Sequence, residues 1–226
     1  MKDVKDYRER ELPLFIIANV LIFLIVHLFI KIDINDLPGS VEVLSEVFIS
    51  AVLSVVAFGF ILVVECLFTS GFKEKLIYFF GILHLPGCTI FSDIKRENCD
   101  NRFSYEKLAE KYNEVYKNLP TDRTKRLRYE NEQWYSIYSR HRDAQMIRTS
   151  QRDSLLCRDI YISTLVMIGM YIIVLVSKLV TFNCWYLIFL ISMAIITNIG
   201  ANRKAVRFAY NVIAYDLNEP QKKESK

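Results

Sequence analysis

WYSIYSRHRDAQMIRTSQRDSLLCRDIYISTLVMIGMYIIVLVS, residues Trp134 to Ser177, changes character at its midpoint. Up to Asp159 it is crowded with arginine; from Ile160 to Ser177 it carries no charge. An uncharged run of this length matches a hydrocarbon core of about 30 Å. Lipid offers the backbone no hydrogen-bond partner, so the run must be helical. A membrane-crossing helix therefore emerges from a basic stalk.

Three further runs fit the same description. Leu12–Ile30 is marked by Asn19 and His27, Val47–Phe68 has Glu65 as its single charge, and Phe182–Ile199 has none. Apolar residues make up 52% of the 226. The expected fold class is all-α: an integral membrane protein with four transmembrane helices, in two hairpins with a helical cytoplasmic insert between them. The N-terminal tail and first hairpin span 1–70, with helices at about 12–30 and 47–68. A basic helical domain spans 71–159, and the second hairpin spans 160–199, with helices at about 160–177 and 182–199. An amphipathic helix and a disordered tail fill 200–226. The first run is too long for a signal peptide, and KIDINDLPGS after it lacks a small-x-small cleavage site, so it is expected to be retained.

Basic residues set the orientation. Of 29 Lys and Arg, four lie in the N-terminal tail, seventeen between Thr69 and Asp159, six beyond Ile199, and one in each remaining connection, Lys31 and Lys178. The positive-inside rule puts both tails and the insert in the cytoplasm. The five cysteines form no Cys-x-x-Cys pair, and that location argues against disulfides.

Within the insert, GFKEKLIYFFGILHLPG (71–87) suits a short helix, either at the headgroup level or packed on the insert itself. Ser104 opens a helix through about Asn118, with Leu108, Tyr112, Val115 and Leu119 on one face. Thr121 or Asp122 caps the next helix. With no Pro or Gly between Pro120 and Gly169, that helix is expected to run unbroken from about 123 to 177. Beyond the fourth span, Val206, Tyr210, Ile213 and Leu217 share a face expected to pack on the stalk.

Charge pairing three or four residues apart singles out part of the stalk. Arg126 can reach Glu130, Arg128 can reach Glu132, and Arg140 can reach Asp143. Arg142, Arg148, Arg152 and Arg158 have no acid at those spacings. Arg158, at the membrane boundary, can snorkel to lipid phosphates as a membrane anchor. The others can pair with Glu106, Glu110 or Glu114 on neighbouring helices, or bind an anionic ligand through their planar guanidinium forks. Trp134, Tyr135 and Tyr138 can stack a base or fill the bundle core.

No catalytic constellation accompanies them. HRD at His141–Asp143 lacks the Gly-rich loop and Asp-Phe-Gly of a kinase, and no nucleophile elbow, P-loop or zincin motif is present. His84, Cys88, Cys99 and His141 match no zinc-module spacing. No enzyme activity, metal or cofactor is expected. The spans offer few polar groups. Asn19, Ser54 and Glu65 serve packing or, on oligomerisation, line a pore.

A small, basic, motif-poor chain with membrane hairpins and a helical insert resembles the membrane effectors of bacterial anti-phage systems, those accompanying retrons or cyclic-nucleotide signalling. Such effectors often have two spans per chain, and four departs from that. The resemblance implies a toxin of abortive infection in the bacterial inner membrane, multi-pass, with both termini cytoplasmic. It implies a homo-oligomer, restrained by a reverse transcriptase carrying its DNA–RNA product or triggered by a cyclic nucleotide. Arg142, Arg148, Arg152, Trp134 and Tyr138 then form the partner site, and Asn19, Ser54 and Glu65 act in the membrane step. The alternative is an anchor that docks a cytoplasmic complex without permeation.

Overall fold

The structure is a computed structural model, and it describes residues 4, 6–28, 59–61, 63–64, 67–79, 84–97 and 100–218. Its regular secondary structure there is helical, with no strand. The longer helices are Glu11–Leu28, Arg123–His141, Gln145–Val176 and Cys184–Asn218; Ser70–Ile77, Ile90–Arg96, Tyr105–Lys111 and Asn113–Lys117 are shorter.

Among the described residues, three segments are long and apolar enough to cross a membrane: Asp6–His27, Gln145–Val176 and Cys184–Asn218. They contain the expected runs at 12–30, 160–177 and 182–199, apart from short ends. The expected span at 47–68 lies largely outside the described residues, with helix at 59–61, 63–64 and 67. The connection at 31–46 lies outside them too.

The chain forms two compact units. An apolar one comprises 1–77 and 155–201, and a polar one comprises 78–154 and 202–226. In the apolar unit, Leu12, Ile16, Val20 and Leu24 pack with Ile61, Val166, Met167, Tyr171, Tyr186 and Leu190. The outward side is apolar as well: Leu14, Ile25, Ile173, Trp185 and Ile196 are all more than half exposed. A helix apolar on every side has lipid, not water, as its natural surroundings. The 145–176 helix stops without glycine or proline. Lys178 takes a left-handed backbone, φ 56°, while Leu179 N donates to Val174 O at 3.2 Å and Lys178 N to Leu175 O at 3.0 Å. These two bonds satisfy the terminal carbonyls.

In the polar unit, Ile90, Phe91, Ile94, Leu108, Tyr112, Ile137, Ile147, Val212 and Ile213 form the core. Ser104 and Asp122 are the N-caps, accepting from Lys107 N and Lys125 N at 3.4 and 2.8 Å. Three expectations are corrected here. The stalk is not one helix from 123 to 177, because a turn at 142–144 interrupts it. His141 is held by buried Asp216 at 2.6 Å, and the turn lets Ile147 reach full burial. The expected face of the last helix holds for Tyr210, Ile213 and Leu217, which pack in the core, but Val206 is 43% exposed and Ala209 and Val212 are buried beside them. Glu130 does not serve Arg126. Its carboxylate accepts from Phe91 N and Ser92 N, both at 3.0 Å, and from Ser92 Oγ. It thus caps the 90–96 helix, whose own N-cap, Thr89, contributes no side-chain bond. Burial pushes the Glu130 carboxyl up.

Candidate functional site

An open groove lies within the polar unit. Gln145, Thr149 and Asp153 recur every four residues and so share a stripe of the 145–176 helix. Lys204, Arg207 and Asn211 form the matching stripe of the 184–218 helix. Together they line an open groove of about 610 Å³. Lys204 Nζ donates to Asp153 Oδ2 at 2.7 Å. Asn211 Nδ2 donates to Ser150 Oγ at 2.8 Å, and its Oδ1 accepts from Arg102 Nη1 at 2.7 Å. Arg102 is itself gripped by Asp100, whose carboxyl it holds below the usual carboxylate range.

The groove is electropositive. Arg152 Nη1 also approaches Asp153, at 3.9 Å, so two cations share that carboxylate. Arg207 is exposed and makes no ion pair among the described residues. Gln145 and Met146 line the groove and open their helix, where backbone N–H groups have no intrahelical acceptor. Cations and helix amides together favour an anion.

None of the expected partner-site residues, Arg142, Arg148, Arg152, Trp134 and Tyr138, is among the residues lining this groove. Arg142 is 68% exposed, 3.8 Å from Asp143, which is more exposed still. Arg140, expected to reach Asp143, instead lies 3.8 Å from Asp216. Arg148, like Arg152, is engaged within the protein. Trp134 and Tyr138 stack on each other at 5.6 Å with Phe208 edge-on to both. Trp134 Nε1 donates to Ala209 O at 3.3 Å. Their faces are therefore occupied by the unit's own core.

Two buried aspartates anchor the units, and neither was legible as an anchor. Asp216 is 3% exposed and receives the Tyr112 hydroxyl, Lys111 Nζ at 2.9 Å and His141 Nε2. Burial, together with Asp216, pushes the Tyr112 phenol up. In the apolar unit Asp159 is fully buried. It accepts from the Tyr7 hydroxyl at 2.7 Å, Arg8 Nη2 at 2.9 Å, Lys73 Nζ at 3.3 Å and Arg158 Nε at 3.1 Å. Arg158, expected at lipid phosphate, is only 11% exposed and has this partner inside the protein.

Of the residues expected to act in the membrane step, Asn19 is buried, its Nδ2 donating to Phe15 O at 2.7 Å while Oδ1 has no partner. It faces a cavity of about 80 Å³ lined by Phe23, Met167 and Tyr171. Ser54 and Glu65 lie outside the described residues. Among the described residues no three His, Cys, Asp or Glu side chains gather to hold a metal ion.

Applied to the last helix, the charge-pairing test flags Arg203, Lys204 and Arg207, none of which has an acid three or four residues away. No known protein family, curated protein or solved structure matches the chain.

Proposed function

We propose that the chain is a non-enzymatic membrane effector. Its polar unit receives an anionic partner, and its apolar helices answer by perturbing the bilayer. One observation carries this reading. The two helices that wall the cation-bearing groove, Gln145–Val176 and Cys184–Asn218, are also apolar enough to cross a membrane. A ligand bridging Arg207 and the 145–153 stripe bears directly on two membrane helices.

The setting implied by the resemblance is abortive infection at the bacterial inner membrane, with both tails cytoplasmic and the active form a homo-oligomer. The restraint or trigger at the basic unit is then a reverse transcriptase with its DNA–RNA product, or a nucleotide. Arg142 is the outlying cation that such a partner meets first, because it is exposed and only weakly paired.

Membrane potential in a bacterial host, followed by a voltage-sensitive dye after induced expression, tests the proposal. Wild type is compared with Arg207→Ala and with Arg142, Arg148 and Arg152 all changed to Ala. The expected result is depolarisation by wild type and a changed rate in the variants. Unaltered potential with every protein, at verified membrane insertion and with the genomic neighbours and phage present, replaces the effector by an anchor that docks a complex.

A further inference from the structure

The resemblance suggests a nucleic acid or a nucleotide at the basic unit, and the groove's own lining points to a different anion. About 610 Å³ falls within the roughly 300–1,000 Å³ typical of small-molecule sites. Among the described lining residues Met146 is the one apolar side chain, and none is aromatic. A base finds no aromatic stacking face here. What the walls offer instead is hydrogen bonding, from the Gln145 amide and the Thr149 hydroxyl opposite Lys204 and Arg207. Lys204 has three donors and commits one to Asp153 at 2.7 Å. Arg207 keeps its whole fork, the geometry that grips two phosphate oxygens. Asp153 would repel an anion by itself, but Lys204 and Arg152 both face it.

The geometry points to a small phosphate ester with a hydroxyl-rich body, a sugar or polyol phosphate. Its phosphate sits on Arg207 and Lys204, and its hydroxyls lie against Gln145 and Thr149. This rests on the reading that the polar unit receives an anion, and adds the class of that anion. The same chemistry exists in a soluble ester and in a lipid headgroup such as phosphatidylglycerol.

The test is calorimetric titration of the full chain, in nanodiscs of zwitterionic lipid, with glucose 6-phosphate, glucose and inorganic phosphate. Glucose 6-phosphate should bind and glucose should not. Arg207→Ala should weaken binding by about tenfold or more, the worth of a lost charged hydrogen bond, with Arg207→Lys between. Thr149→Ala should weaken glucose 6-phosphate several-fold and leave inorganic phosphate unchanged. Repetition in phosphatidylglycerol discs separates the sources: competition assigns the headgroup, an unchanged titration the soluble ester. No binding by folded wild type up to about 10 mM, a limit of roughly 3 kcal/mol, overturns the proposal. Equal affinity in Arg207→Ala overturns it as well. Binding without any change of membrane potential removes the effector reading alone; depolarisation without binding removes this inference alone.

Discussion

Asp159→Asn tests whether a buried carboxylate holds the apolar unit together. The substitution keeps the side chain's shape and one acceptor but removes the charge. Four donors converge on it, from three separate stretches of chain. Arg8 is about a third exposed and can turn to water, so its loss adds little. Lys73 and Arg158 are 3% and 11% exposed and have no such escape. Stranding a buried charge costs roughly 3–5 kcal/mol. For a chain of this size each kcal/mol moves the melting temperature by about 2–4 °C, so the fall should be roughly 6–20 °C. Arg158→Met is the control. It removes one donor and leaves Asp159 with Tyr7, Arg8 and Lys73, which should cost about 2 kcal/mol, one charged hydrogen bond. Thermal unfolding of the full chain in detergent, followed by circular dichroism, reads both. If Asp159→Asn melts within about 2 °C of wild type, under roughly 1 kcal/mol, or if Arg158→Met costs as much, the carboxylate is not the anchor.

Glu130→Ala should destabilise the polar unit by roughly 1–3 kcal/mol for each amide left without an acceptor, and Glu130→Gln should recover most of that. Because burial raises the Glu130 carboxyl in the folded chain, its stabilising contribution is full below the unfolded carboxyl pKa and is lost as pH rises through the folded value. The denaturation midpoint of wild type, relative to Glu130→Gln, should therefore fall as pH rises through the acid range. Gly87→Ala places a methyl 2.9 Å from Trp134 Cε3 and 3.1 Å from Asn131 Oδ1; the indole is fixed by its neighbours, so overpacking should cost roughly 1–3 kcal/mol, visible in a denaturant melt. Ile213→Ala should cost about 2–5 kcal/mol and Val206→Lys less than about 0.5, and the opposite order would contradict the burial of Ile213 and the exposure of Val206.

Three of the four expected spans were legible as helices long and apolar enough to cross a membrane, because an uncharged run of bilayer length leaves the backbone one structural solution. Ser104 and Asp122 were legible as caps because a cap acts on its own helix. The break at 142–144 was not, since no Pro or Gly marks it and the contact beside it, His141 with Asp216, joins residues 75 positions apart. On the last helix Tyr210, Ile213 and Leu217 were legible as core-facing, while Val206, equally apolar, is exposed, and Ala209, too small to stand out in the pattern, is buried with its carbonyl accepting from Trp134. Asp159 and Asp216 have no base three or four residues away; apart from Arg158, their partners lie on other elements, more than a hundred residues away for Tyr7 and Lys111. Local pairing rules register such groups as missing a base, and the missing base is the sign of a long-range anchor.

Potassium efflux from vesicles holding the purified chain tests the central claim most directly. Wild type and Arg207→Ala are compared at equal insertion, with and without glucose 6-phosphate outside and inside. The account predicts efflux above protein-free vesicles, at a rate that the ester changes in wild type and leaves unchanged in Arg207→Ala. Vesicles that stay as tight as protein-free ones under every condition would contradict it.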